Sequence, residues 1–145
     1  MMSAALATNQ QPDEDIYLRP LFLSSVQAGR PSPADDTVEE RINLNQFIFR
    51  NPGATTIHRV RDDALQEFDV FEGDLLVIDR SLAPEDGKLA LVEMDGEEMV
   101  GLLVKVQDKL FLTGGADAGS RVEFREGEGM KLLGVVTHSI HTLAE

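Results

Sequence analysis

Seven short apolar runs, separated by residues that favour turns, constrain the fold of this chain more than any other feature. The runs cover residues 55–60, 75–78, 89–94, 99–106, 110–113, 121–124 and 132–140. Asp95-Gly96 lies between two of them and is a strong hairpin signal, because both residues tolerate the positive φ of a tight turn. The pattern therefore predicts a mostly-β domain over residues 54–145, with little helix.

The residues before this domain, 1–53, differ in character and are interpreted as an N-terminal arm. Residues 1–15 are polar and predict a disordered tail. Residues 16–26 are more apolar but contain a proline, which suits an extended arm. Residues 26–33 contain two further prolines and predict an extended stretch that cannot enter a helix.

The last part of the arm carries a helix signal. Asp36-Thr37 can cap a helix, and Val38 and Ile42 begin a near-helical spacing of apolar residues. The turn-forming Asn51-Pro52-Gly53 follows. We therefore expect helical turns over about residues 37–49.

Composition excludes several classes of protein. The 145 residues include no cysteine, so disulfide frameworks and thiolate metal sites are excluded. Lys and Arg number 13 against 26 Asp and Glu, and the formal net charge of -13 disfavours direct binding of nucleic acid or anionic lipid. No apolar run is long enough to span a membrane, and the N-terminus does not resemble a secretion signal. We expect a cytoplasmic protein without a cofactor.

The histidines and a glycine-rich segment resemble binding sites, but we favour a purely structural role for both. His138 and His141 are spaced as a helical pair, but in a strand this spacing places them on opposite faces, which disfavours a metal site. His58 also lies in a strand and is expected to be half-buried or at the surface. The glycine-rich segment 113–120 lacks the Lys-Ser/Thr of a phosphate-binding loop, so a loop between strands is expected.

Two groups of charged residues lie near the end of the first predicted strand. Arg59 and Arg61 could bind a phosphate or a carboxylate, although pairing with nearby acidic residues is favoured in so acidic a chain. A hydrolase or cation site could be built from neighbouring carboxylates, for which a surface role is favoured: Asp62, Asp63, Glu67 and Asp69.

A set of motifs along the chain closely resembles the UmuD branch of the LexA–UmuD self-cleaving family. The resemblance covers about residues 19–140 and combines several motifs, so it is more specific than one short pattern. The motifs are Pro20-Leu21-Phe22, Val26-Gln27-Ala28-Gly29, Pro31-Ser32-Pro33-Ala34, Val38-Glu39, Arg41-Ile42, Leu44-Asn45-Gln46, Asn51-Pro52, Ala54-Thr55, Glu72-Gly73-Asp74-Leu75-Leu76-Val77-Ile78-Asp79, Asp95-Gly96-Glu97, Leu133-Gly134-Val135-Val136 and His138.

The resemblance implies a fold and a function. The family has a twisted β-domain with an N-terminal arm, and UmuD-type members form dimers. Activated RecA filaments stimulate cleavage of the arm by a serine–lysine dyad, and the trimmed dimer joins a Y-family polymerase in the SOS DNA-damage response. The scissile bond corresponds to Ala28-Gly29. Only about 50 residues precede the predicted β-domain, which leaves no room for the helix-turn-helix domain of the LexA repressors.

The chain departs from the family at both catalytic positions. Ungapped alignment from Ala54-Thr55 to Gly73-Asp74 places Ala64 where the nucleophilic serine is expected, and the base lysine corresponds to Gly101. A hydroxyl is a poor nucleophile without a base, and a lysine acts as a base only when its pKa is lowered. Residues flanking position 64 differ from the family as well, which favours natural loss of activity over an engineered substitution.

No other pair of residues offers an evident replacement for the dyad. Lys105 is four residues beyond Gly101, roughly 13 Å along a strand, and Ser81 and Ser120 lie in predicted turns. The sequence therefore predicts a catalytically inactive, UmuD-like regulatory or accessory subunit. It would act as a homodimer, or as a heterodimer with an active homologue, and would bind a translesion polymerase or another SOS partner.

Three alternatives stay open. The chain could be a self-cleaving peptidase with an unconventional dyad, or a corepressor of a DNA-bound regulator. The Ala28-Gly29 bond could be cut in trans by an active homologue, or its small residues could serve only for packing of the arm.

Overall fold

The structure is a computed structural model, and it describes residues 17–22, 26, 28–29, 31, 33, 36–114 and 121–144. The predicted tail and three residues of the segment 26–33 lie outside these residues. The chain divides into two compact units, Met1–Arg50 and Asn51–Glu145. No helix in the described part of the chain is long and apolar enough to cross a membrane.

The first unit contains a two-stranded antiparallel sheet and one short helix. Strand β1 (Leu18–Phe22) pairs with β2 (Val38–Asn43). Helix α1 (Leu44–Ile48) follows directly, and the side chain of Asn43 accepts a hydrogen bond from the Asn45 N–H at 2.9 Å as its N-cap.

The prediction of helical turns over residues 37–49 is wrong for the first half of that range. Val38–Asn43 is a strand, and the helix covers only Leu44–Ile48. Val38 and Ile42 are four residues apart, a spacing that brings two side chains to the same side of a strand as well as of a helix. Pairing with β1 supplies backbone hydrogen bonds to this segment, and the segment is therefore a strand and not a helix.

The second unit is a seven-stranded antiparallel sheet, so the predicted mostly-β fold with an extended N-terminal segment and a short helix is confirmed. Each of the seven apolar runs corresponds to one strand, although the first and the sixth run extend one residue beyond theirs. The strands are β3 (Thr55–Arg59), β4 (Leu75–Asp79), β5 (Leu89–Met94), β6 (Glu97–Val106), β7 (Lys109–Thr113), β8 (Arg121–Glu123) and β9 (Met130–Ile140), in the spatial order β3-β4-β9-β5-β6-β7-β8.

Turns between the strands follow the sequence signals. Asp95 and Gly96 both have positive φ, 51° and 86°, and join β5 to β6 as the predicted two-residue hairpin. Short 3-10 turns cover Pro52–Ala54 before β3 and Gln66–Phe68 before β4. The glycine-rich segment 113–120 lies mostly outside the described residues, beyond Gly114.

Two apolar clusters form the core of the sheet unit. The first lies under the loop between β3 and β4 and is built on Leu65, Val70, Leu76, Ile78 and Leu91. The second lies towards β6 and β7 and is built on Ala90, Val92, Leu103 and Leu112. Ile78 and Leu103 are completely buried, one in each cluster.

Hydrogen bonds to Asp79, the last residue of β4, connect this strand to the beginning of the sheet unit. Its carboxylate is buried and accepts hydrogen bonds from the Asn51 side-chain amide at 2.7 Å, the Ser81 hydroxyl at 2.6 Å and the Ser81 N–H at 2.9 Å. The hydrogen bonds from Ser81 and Asn51 lower the pKa of Asp79 below its ordinary value of 3.8. The ionised carboxylate is therefore the form that stabilises this corner.

We expect Asp79→Asn to lower the Tm at neutral pH and to make the Tm less sensitive to acid. Because the pKa of Asp79 is lower in the folded state, its contribution to stability is present above the unfolded value of 3.8 and is lost as the pH falls below it through the folded value. Thermal unfolding followed by circular dichroism across this range measures both effects. Asp108→Asn is the control, since the Asp108 side chain is 99% exposed. Equal acid sensitivity of Asp79→Asn and the wild type would contradict the assignment.

Candidate functional site

A cleft of about 650 Å³ lies between the end of β3 and the beginning of β6. Its apolar side chains come from four elements, and its charged ones lie mainly along the end of β3. The lining residues are His58, Arg59, Val60, Arg61, Asp62, Ala64, Leu65, Leu76, Leu91, Glu98, Met99 and Val100. Leu65, Leu76 and Leu91 are buried and belong to the first core cluster, so the floor of the cleft is part of the core.

The loop that carries Ala64 is held by backbone contacts on both sides. The Val60 N–H donates to the Asp74 carbonyl at 2.8 Å, and the Gly73 N–H donates to the Val60 carbonyl at 2.9 Å. Leu65, the residue after Ala64, is buried in the first core cluster. Ala64 therefore has a fixed position in the cleft wall, where it offers only a methyl group.

Asp62 and Asp63 have a structural use in this loop. The Asp62 carboxylate accepts the Ala64 N–H at 3.0 Å, and the Asp63 carboxylate accepts the Glu72 N–H at 3.1 Å. The two carboxylates thus accept hydrogen bonds from backbone N–H groups of the loop, as a carbonyl would in a regular helix or strand. No cluster of three potential metal-binding side chains occurs among the residues that the structure describes.

Gly101 lies on β6 next to the cleft-lining Val100 and is closely surrounded. A Cβ atom added to Gly101 would lie 2.7 Å from the Thr113 carbonyl oxygen and 3.0 Å from Leu112 side-chain atoms. A Cβ added to Gly114 would lie 3.4 Å from Leu65 and 3.6 Å from the Gly101 Cα. The two glycines therefore allow β6, β7 and the loop that carries Ala64 to approach one another closely.

Two of the three residues considered as replacements for the dyad have other contacts. The Lys105 side chain is 55% exposed and lies 3.9 Å from the Asp108 carboxylate, so it is not desolvated. The Ser81 hydroxyl donates to Asp79. Ser120 lies outside the described residues.

Ala28 and Gly29, the positions that resemble a cleavage site, are exposed and form a turn. Gly29 has a φ of 79°, which a residue with a side chain seldom adopts. The extended conformation expected for this segment is therefore interrupted at the bond itself.

His141 makes a contact that sequence patterns did not reveal. Its Nδ1 lies 2.5 Å from the Asp74 carboxylate, which is 2% exposed, and its ring lies 5.5 Å from the ring of Phe71. Hydrogen bonds from the Phe71 N–H and then from His141 lower the pKa of Asp74. The contact joins residues 67 positions apart, which no local pattern reports. The contact connects the residues after β9 to the Gly73–Asp74 turn, which also forms hydrogen bonds with Val60.

The other two histidines have local partners. His138 lies 2.9 Å from the Thr137 hydroxyl, and the half-buried His58 lies 3.1 Å from the Thr56 hydroxyl, as expected for a strand residue. Arg59 donates to the Gly73 carbonyl at 3.0 Å, instead of the expected acidic partner. Arg61 is exposed and makes no hydrogen bond or ion pair within the described ranges.

Comparison with known proteins supports the resemblance seen in the motifs. The Peptidase S24-like family matches residues 20–137. Protein ImpA of Salmonella typhimurium is 38% identical over 135 residues, 91% of this chain and 90% of the relative. Protein SamA of Salmonella typhimurium strain LT2 is 34% identical over 97% of this chain and 96% of the relative. The LexA repressor of Shewanella piezotolerans is 28% identical over 76% of this chain and 53% of the repressor.

We expect Gly101→Ala to destabilise the protein by about 1–3 kcal/mol, because the new Cβ meets a backbone oxygen that cannot move alone. The matched control is Gly53→Ala, since a Cβ at Gly53 meets no atom within 4 Å and its φ is not positive. Urea unfolding of both variants measures the difference. Equal stability of the two variants would show that β6 and β7 separate easily.

Proposed function

We propose that this chain, which belongs to the Peptidase S24-like family, is a catalytically inactive UmuD-like accessory subunit of the SOS DNA-damage response. It would form dimers with itself or with an active relative, and would bind a translesion polymerase or another SOS partner. The observation that carries the proposal is the pair Ala64 and Gly101 at the two positions where the family has its serine and lysine.

The chemistry of the two side chains supports the loss of activity. Self-cleavage needs an oxygen nucleophile and a group that removes its proton, and neither a methyl group nor a hydrogen atom can do either. Ala64 lines the cleft and Gly101 follows a cleft-lining residue. Under this proposal the cleft has neither reactive group at these two positions.

The surroundings of Gly101 add a steric reason. A lysine there would begin with a Cβ atom 2.7 Å from the Thr113 carbonyl oxygen. At this distance β6 would have to move relative to β7 to accept the side chain. Restoring the two residues alone would therefore leave the base misplaced or the sheet distorted.

A self-cleaving peptidase with an unconventional dyad is less well supported. A lysine that acts as a base at moderate pH must be largely desolvated, and the Lys105 side chain is more than half exposed and next to Asp108. This exposure opposes the role of a base.

The chain matches ImpA and SamA over 90% and 96% of their lengths, and the LexA repressor over 53% of its length. We place the function of this chain in contacts with other proteins, because neither Ala64 nor Gly101 supplies a reactive group.

We expect no self-cleavage of the purified protein at alkaline pH or with activated RecA filaments. Ala64→Ser should also stay intact because no base is supplied, and Ala64→Ser with Gly101→Lys should give at most traces. Intact mass spectrometry detects a new N-terminus at Gly29, and an active UmuD-like homologue serves as the positive control. Fragments from the wild type alone would establish the peptidase, whereas fragments only in a mixture with that homologue would establish cleavage in trans.

We expect sedimentation at micromolar concentration to give a dimer of about 32 kDa, twice the chain mass of 15.9 kDa. In the UmuD-type proteins that this chain resembles, the C-terminal strand forms contacts between protomers. Ile140, at the end of β9, is 37% exposed, and Ile140→Asp should shift the equilibrium towards the monomer. Leu143→Asp is the matched control, since Leu143 is 91% exposed beyond the strand. A wild-type monomer at this concentration would contradict the dimer.

A further inference from the structure

Strand β8 is the last strand in the order of the seven-stranded sheet, and its outer side is open. It covers Arg121–Glu123, pairs with β7 on one side and has no strand on the other side within the described part of the chain. An open edge presents unpaired backbone N–H and C=O groups that can pair with another strand. The residues of β8 indicate which strand fits there.

The hydrogen bonds to β7 show which backbone groups of β8 face outward. The Phe124 N–H donates to the Leu110 carbonyl at 2.8 Å, so the backbone groups of Phe124 face β7. Backbone groups alternate in direction along an antiparallel strand, so those of Val122 also face β7. The N–H and C=O groups of Arg121 and Glu123 therefore point outward and are available to an added strand.

The side chains of β8 alternate between the two faces of the sheet. Arg121 and Glu123 lie on one face, and Val122, which is 44% exposed, lies on the other. Arg121 is exposed and makes no hydrogen bond or ion pair with any residue that the structure describes. The Glu123 carboxylate accepts a hydrogen bond from Arg125 at 2.9 Å, which lowers the pKa of Glu123 and keeps it ionised. The edge thus carries a positive, an apolar and a negative side chain in succession.

A second β8 can pair with this edge only in certain registers if a two-fold axis relates the two strands. Directly opposite residues of antiparallel strands have their side chains on the same face of the sheet. A two-fold axis normal to the sheet therefore passes beside a residue that is opposite its own copy. An axis beside Arg121 or Glu123 would place two like charges opposite each other, whereas an axis beside Val122 does not.

With the axis beside Val122, each residue of the edge has a suitable partner. Arg121 is opposite Glu123 of the second copy on both sides of the axis, and their outward backbone groups form the hydrogen-bonded pairs. The two copies of Val122 form a pair without backbone hydrogen bonds, in which side chains lie closest. Charged residues commonly protect an edge from pairing, but here they have opposite signs and attract the antiparallel copy.

We propose that the outer edge of β8 is a self-association surface, at which two copies of this chain pair their β8 strands antiparallel about a two-fold axis beside Val122. The surface is separate from the contact proposed at the end of β9, since β9 lies between β4 and β5 inside the sheet. In a protein that is already dimeric through β9, it would join dimers to one another. A strand of three residues forms a contact far smaller than the about 1,200 Å² of stable interfaces, so the association is weak.

Disulfide formation tests this register, because the chain contains no cysteine. Opposite residues of a pair without backbone hydrogen bonds have Cα atoms about 4.5 Å apart, a separation that a disulfide can bridge. With oxidised glutathione and submillimolar protein, we expect Val122→Cys to form a disulfide-linked dimer about tenfold faster than Ile57→Cys. Ile57 is the matched control, since it is 48% exposed on β3, the edge strand at the other end of the sheet.

Charge reversals in the Val122→Cys background test the pairing of Arg121 with Glu123. Arg121→Glu and Glu123→Arg each place like charges opposite each other in a homodimer, and each should slow cross-linking about fivefold. In an equimolar mixture of the two variants, an acidic strand meets a basic strand, so the mixed dimer should form at least as fast as the dimer of Val122→Cys alone. Intact mass spectrometry distinguishes the mixed dimer. Arg80→Glu makes the same change in net charge on the exposed Arg80 and should leave the rate unchanged.

The results that would overturn the inference are equal rates for Val122→Cys and Ile57→Cys, or a mixture that cross-links no faster than its separate components. If either reversal does not fold, the salt dependence of Val122→Cys takes its place. Opposite charges predict slower cross-linking at high salt, and an unchanged rate would contradict the pairing.

Cross-linking in the Ile140→Asp background separates this surface from the proposed dimer. An unchanged rate there supports an independent surface, and a lost disulfide would assign Val122 to the β9 contact instead. Since the disulfide readout involves neither self-cleavage nor the sedimentation of the wild type, its failure leaves the proposed function standing, and the reverse also holds.

Discussion

The position of β9 at the centre of the sheet is the constraint on which the rest of the sheet unit depends. This strand is the last in sequence, yet it pairs with β4 on one side and β5 on the other. Gly134 makes the central packing feasible, since a Cβ there would lie 2.5 Å from the Ile78 side chain and 3.1 Å from the Asp79 carbonyl. Both halves of the sheet, and so both walls of the cleft, are joined only when the C-terminal strand is in place.

Local patterns in the sequence predicted the strands well because each strand carries its own apolar run and is bounded by turn residues. The arm was predicted less well. Val38–Asn43 has a spacing compatible with helix and strand, and pairing with β1, which begins 20 residues earlier, decides between them. Residue spacing reports local preference and does not report a partner that is distant in the sequence.

The candidate site, like the fold, could be predicted from the sequence only in part. Alignment of motifs assigns the family's serine and lysine positions to Ala64 and Gly101, which lie a short distance from recognisable strands, and this assignment stays a prediction. The close contact of Gly101 with Thr113 and the contact of His141 with Asp74 join segments that are distant in sequence. Neither carries a local signal, since glycine in a strand and histidine after one are each compatible with many environments.

The proposed loss of the serine and the lysine would remove the chemistry of the cleft without changing the shape of its floor. The cleft floor is part of the first core cluster, so its shape is maintained by the stability of the fold and does not depend on Ala64 or Gly101. The edge of β3 is likewise defined by its ladder with β4. Under the proposed function, the absence of a hydroxyl and an amine would eliminate bond cleavage and leave the buried floor of the cleft unchanged. Such a cleft would hold an extended chain for as long as the affinity allows, because no reaction would release it.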